Sequence, residues 1–222
     1  MRAIGLAVQL AFCFIAACSF VTHAATLTLD IAAEPGSPSS AAAQLVFNGN
    51  SLTFQDAGDG FDFTVVNASD ISLIGRKGNI SGTFTIGAIG AGTPQTALVS
   101  GIGTLSIADG SSKLQADLDL NNVFSFGTSV GLNFNAQANL SNITYNGADA
   151  SLLGMIGSSD GTLVLSAQFL PPRSLTQLTS GPAHRTFYTG QLNATVPEPS
   201  SYLALAVGLF ATGAVIRIRI RN

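Results

Sequence analysis

The chain has no tryptophan, only two cysteines and two histidines, and just 9% of its 222 residues are charged. Both cysteines, Cys13 and Cys18, lie in the first apolar stretch, so residues 25–195 carry no thiol. That excludes disulfide staples and thiol nucleophiles from the body of the protein. One histidine, His184, remains there, and a single His without Cys is too few ligands for zinc. No Gly-x-Ser-x-Gly elbow occurs, so His184 and the neighbouring Arg185 belong to no recognisable triad, and His184 reads as structural. Cations are scarce. Arg76, Lys77, Lys113, Arg173 and Arg185 face ten aspartates and Glu34 across residues 25–195, a net charge of −6. So acidic a body has no footprint for nucleic acid.

What fills the body is Gly, Ser, Thr, Asn, Val, Ile, Leu and Phe, the palette of strands and turns. A period of two recurs. Leu27, Leu29 and Ile31 alternate, as do Leu45 and Phe47, then Leu52 and Phe54 after Asn48-Gly49-Asn50. Phe61, Phe63 and Val65 follow Asp59-Gly60, and Ile80, Phe84 and Ile86 follow Lys77-Gly78-Asn79 as a turn. Leu105 and Ile107 lead to Asp109-Gly110, then Leu114, Ala116, Leu118 and Leu120. The longest run is Leu132, Phe134, Ala136, Ala138 and Leu140; Leu163, Leu165 and Ala167 come next, and Phe187–Leu192 closes the body. About ten short strands with regular turn signals predict an antiparallel all-β domain over 25–195. A two-sheet, jelly-roll-like sandwich is the first expectation and a β-barrel the alternative. A helical turn is expected at 148–157 and a loop from Pro171 to Pro182. A Gly-Thr theme recurs at Gly82-Thr83, Gly103-Thr104 and Gly161-Thr162 without the fixed period of a solenoid.

Two groups of carboxylates invite a chemical reading. Asp56, Asp59 and Asp62 are spaced by three and separated by glycines; they are the weak candidates for Ca²⁺, set against an ordinary solvated turn. Asp117 and Asp119 share one strand face, where a carboxylate pair could serve glycoside hydrolysis or simply solubilise the strand. With Glu34 the only glutamate of the body, the expectation is a non-enzyme with no metal or other cofactor; an exported hydrolase on a β scaffold and a calcium-stabilised adhesin are the alternatives. Asn67, Asn79, Asn139, Asn142 and Asn193 stand in Asn-x-Ser/Thr triplets, read here as strand ends.

Both ends of the chain look like addresses. Arg2 precedes a mostly apolar stretch to Val21, and Ala24 offers a small residue for cleavage before Ala25; residues 1–24 are expected to form a signal peptide helix removed by signal peptidase. Cys18 after Ile15-Ala16-Ala17 permits a rival reading as a lipidation site. At the other end, Tyr202–Ile216 has no charge and would form a helix of about 23 Å, or about 28 Å if it runs on to Ile220. That is short for a bilayer core of about 30 Å but spans it if the ends snorkel. Arg217, Arg219 and Arg221 follow and would hold the C-terminus on the cytoplasmic side.

The segment Val196–Asn222, with Pro197-Glu198-Pro199, an apolar helix and a basic end in that order, resembles the PEP-CTERM sorting signal of Gram-negative bacteria. The arginines alternate with Ile218 and Ile220 where the family has a block. The resemblance implies that Pro197, Glu198 and Pro199 are read by exosortase, a membrane cysteine protease-like enzyme. It also implies a precursor held in the inner membrane by its tail before transfer to the surface or release. Such proteins accompany exopolysaccharide production, so the expected role is a structural or binding protein of the cell surface or extracellular matrix, with polysaccharide as partner.

Overall fold

The computed structural model describes residues 25–36, 41–127, 133–156 and 161–196. The strands are β1 (Ala25–Ala33), β2 (Gln44–Asn48), β3 (Ser51–Gln55), β4 (Phe63–Ala68), β5 (Lys77–Ser81), β6 (Thr83–Ile89) and β7 (Gln95–Ser100). They continue with β8 (Ile102–Asp109), β9 (Ser112–Ser125), β10 (Phe134–Tyr145), β11 (Gly161–Ala167), β12 (His184–Thr186) and β13 (Tyr188–Val196). Among the described residues, helical structure is limited to a 3₁₀ turn at Ile71–Leu73, α1 (Ala150–Gly154) and α2 (Leu175–Leu178). Asp149 caps α1 through its side chain, within the stretch expected to make a helical turn. Ser174 and Gln177 close a capping box on α2, inside what the sequence suggested was all loop.

The protein is all-β, and its sheet closes. Eight strands run β10-β11-β13-β1-β4-β5-β8-β9, and β9 pairs back to β10 to complete the ring. The remaining strands, β7-β6-β3-β2-β12, extend from β9 as a second lobe. The sandwich expected first is therefore replaced by the barrel. The cause is β9, which is 14 residues long. One edge of β9 pairs with β10 from Leu114 to Ser125. Its other edge serves β8 up to Asp119 and then β7 from Asn122, so one strand belongs to both lobes. Alternation reports which face is buried and is silent on whether the first strand meets the last.

The interior is filled by inward residues of every barrel strand, among them Leu29, Phe63, Ile80, Leu105, Leu118, Ala138, Leu165 and Leu192, each 2% exposed or less. Eight strands enclose about enough room for side chains alone. The extension packs on the barrel through aromatic rings. Phe47 of β2 meets Phe134 edge-on at 5.3 Å and Phe169 at 5.7 Å, and Phe54 of β3 meets Tyr188 at 5.3 Å.

Two glycines have reasons other than turns. Lys77-Gly78-Asn79 is not the turn its composition suggests but the first half of β5. A Cβ on Gly78 would lie 2.3 Å from both the Phe63 ring and the Ser106 carbonyl, so glycine is there for close approach. Gly101 has φ +123°, and a Cβ on it would lie 2.5 Å from the Thr83 carbonyl. It marks the point where the chain steps from the extension (β7) into the barrel (β8).

The expected signal helix and tail helix lie outside the described residues, as do the sorting triplet Pro197–Pro199 and the arginines 217, 219 and 221. Ala24 lies outside them too, and Ala25 opens β1. Among the described residues no helix is long and apolar enough to cross a membrane.

Candidate functional site: an acidic junction

The chain passes between barrel and extension at several points, and three of these crossings meet at one residue. They are the step from β1 to β2 through Glu34, the step from β3 to β4 through Asp56–Asp62, and the step from β12 to β13 at Phe187. The Asp62 carbonyl accepts from the Glu34 backbone N–H at 2.8 Å and from the Tyr188 hydroxyl at 3.2 Å. Its own N–H donates to the Gly78 carbonyl at 2.9 Å. The crossings also bond to each other, Gly58 N–H donating to the Ala41 carbonyl at 2.9 Å.

The Asp62 side chain is 0% exposed. β4 starts only at Phe63, and the carboxylate stands in for the missing strand residue by accepting the Ile80 backbone N–H. Its other oxygen, Oδ1, receives no N–H or O–H. The Asp56 carboxyl is within bonding reach of the Asp62 carboxyl; two ionised carboxylates cannot bond, but the pair does so once one of them holds a proton. Burial, and then the Asp56 neighbour, push the Asp62 carboxyl up to about 7, against the weaker pull of the Ile80 N–H. Tyr188 is held neutral as well, burial raising its hydroxyl above the ordinary phenol range.

The nearby cation is committed elsewhere. Lys77 Nζ donates to Glu34 and to Asp59, each at 2.6 Å, and lies 5.7 Å from the centre of the Phe61 ring. Thr64 adds its hydroxyl to Glu34. The bond from Lys77 holds Asp59 below the ordinary carboxylate value, and the bonds to Asp59 and Glu34 hold Lys77 above the ordinary ammonium value. The three aspartates singled out by spacing are thus split. Asp56 and Asp62 form a pair, and Asp59 turns to Lys77. Among the described residues no group of three or more His, Cys, Asp or Glu is arranged to hold a metal ion. The turn is also not simply solvated, because it buries Asp62 and Ala57. Glu34, Lys77 and Tyr188 complete the cluster without any local sequence signal, coming from 22 residues before Asp56 to 126 residues after Asp62.

The other sequence candidates do not converge with it. Asp117 and Asp119 share the outer face of β9; Asp117 accepts from Asn142 Nδ2 at 2.7 Å, and Asp119 is exposed. His184 opens β12, its Nε2 3.1 Å from the Gln177 carbonyl and 3.3 Å from that of Ser180, which ties β12 to α2. Arg185 is exposed on the same strand.

A second charge cluster closes the barrel where β8 and β10 finish. Arg76 bonds Asp109 and reaches Asp149 at 3.4 Å; the Tyr145 hydroxyl donates to Asp109 and accepts the Asp149 N–H at 3.0 Å. Ser151 of α1 donates to Asp70, which also caps the 3₁₀ turn.

Outside the barrel, a polar band crosses β4, β1 and β13. Asp30 accepts from Asn67 Nδ2 and from Gln191 Nε2, both at 2.9 Å, and Thr28 donates to Asn193 at 2.9 Å.

Comparison with known protein families, characterised proteins and solved structures gives no match to this chain.

Proposed function

We propose that this chain is an exported structural or binding protein of the cell surface or extracellular matrix, sorted through its C-terminal segment by exosortase and without catalytic activity of its own. The observation that carries the reading is the order of parts in Val196–Asn222: Pro197-Glu198-Pro199, an uncharged run of fifteen residues, then Arg217, Arg219 and Arg221. In this reading signal peptidase removes 1–24, the tail holds the precursor in the inner membrane, and exosortase acts at the triplet.

The body supports a binding role better than a hydrolytic one. Each carboxylate cluster is tied into strand ends, caps or crossings, and Asp62, whose carboxyl is raised furthest, is sealed from any substrate. The outer band of amides, hydroxyls and Asp30 offers donors and acceptors side by side, the chemistry that meets the vicinal hydroxyls of a polysaccharide.

Intact mass of the mature protein from cells and medium, with Glu198→Ala beside the wild type, tests the sorting. The reading requires a wild-type mass lacking 1–24 and most of 200–222, and a variant that keeps its tail. An uncleaved tail in both would instead make the protein C-terminally anchored, and added lipid mass on Cys18 would make it a lipoprotein.

A further inference from the structure

We propose that Asp56 and Asp62 form a proton-operated latch that fastens the extension to the barrel, firm in mild acid and loosened as the pH rises to neutrality.

The geometry carries the case. Asp62 is where three crossings meet, so whatever disturbs it disturbs the joint between the lobes. One of its oxygens is anchored by Ile80 of the barrel, the other has no N–H or O–H donor among the described residues, and the carboxyl bonds Asp56, on the connection arriving from the extension, only through a shared proton. Among the described residues, no other titratable or charged group supplies that donor. Tyr188, from β13, directs its hydroxyl to the Asp62 carbonyl rather than to the carboxyl. Lys77, from β5, is engaged by Glu34 of the β1–β2 crossing and Asp59 of the β3–β4 loop. Loss of the proton to solvent leaves two facing carboxylates, one of them fully buried and lacking a donor, and that arrangement costs free energy unless the loop opens to admit water.

The direction follows from linkage. With the loop open, Asp62 takes the ordinary carboxylate value near 4; closed, it holds its proton to about 7. The latch contribution is therefore present in full below about pH 4, declines by about tenfold in the opening equilibrium per pH unit through that window, and is level above it.

Hydrogen exchange on the full chain in EDTA, followed by mass spectrometry from pH 4 to 8.5 and corrected for base catalysis, reads the opening directly. Protection in 56–62 and in β2 and β3 should fall about tenfold per unit up to about pH 7 and then level off. Asp62→Asn supplies an amide that donates to Asp56 while its oxygen still accepts from Ile80; protection should stay high with no slope. Asp56→Asn, which donates to an ionised Asp62, should reduce the slope to what burial alone sustains and serves if the first variant does not fold. Equal slopes in wild type and either variant would overturn the latch. So would a slope that Ca²⁺ removes and EDTA restores, since the pair would then be a cation site.

Discussion

Where β8 and β10 finish, Asp109 and Asp149 are 21% and 12% exposed and share the guanidinium of Arg76, with Tyr145 bridging them. At the junction Asp62 is more deeply buried, yet its nearest charged neighbour is another carboxyl, and Lys77 bonds elsewhere. The same residue type is thus neutralised by a fixed cation at one place and by an exchangeable proton at the other. The first solution calls for no proton; the second depends on pH in the range where proteins work. The lysine of the junction, Lys77, is taken up by Glu34 and Asp59, and at Asp62 the proton takes the cation's place.

The comparison can be broken most severely at Gly78, which follows both cations, Arg76 and Lys77, in the chain. Gly78→Val puts methyls where the Phe63 ring and Ser106 carbonyl already are, so a loss of more than about 3 kcal/mol, or no folded protein, is expected in urea denaturation. Arg76→Met leaves Asp109 and Asp149 without their cation; because the group is partly exposed, a loss of about 1–3 kcal/mol is expected. Asp62→Asn should do the reverse. It should match the wild type near pH 4 and exceed it at pH 7.5 by up to about 4 kcal/mol, read as the difference between urea midpoints at the two pH values. The smallest effect belongs to Asp117→Asn and Asp119→Asn on the outer face of β9, each within about 0.5 kcal/mol.

Acidification sharpens the contrast from the other side. Asp70 is held below the ordinary carboxylate value, first by the Ser151 hydroxyl and then by the Ser72 N–H; Asp30 is held low by Gln191 and Asn67, and Asp59 by Lys77. Their contributions are present above the ordinary carboxylate value and are lost as the pH falls through the depressed ones, opposite in sign to that of Asp62. The stability optimum should therefore lie on the acid side of neutrality.

Much of this fold is legible in the chain, strand by strand. The runs at Leu114–Leu120 and Phe134–Leu140 are buried on alternate residues, and the hairpins at Asn48-Gly49 and Asp109-Gly110 fall where turn chemistry puts them. β7 went unseen because Gln95–Ser100 buries only Ala97, leaving no alternation to find. Gly78 misled because glycine for close approach and glycine for a turn look alike in sequence. Closure depends on β9 changing partners halfway, a long-range event with no local mark. The aspartates of 56–62 were visible as a group, but the pairing within it was not. Three aspartates at equal spacing suggest one convergent site, whereas the backbone bend before Phe63 turns Asp62 inward and leaves Asp59 outside with Lys77.

The central contrast, proton against cation, is tested most directly by following the side-chain carboxyl carbons of the full chain by ¹³C NMR from pH 3 to 9. The account predicts that Asp62 titrates near 7 and that its midpoint falls toward the ordinary carboxylate value in Asp56→Asn. A midpoint near 4 for Asp62 in the wild type would mean that the buried carboxyl is ionised at neutral pH, and the contrast between the two clusters would be wrong.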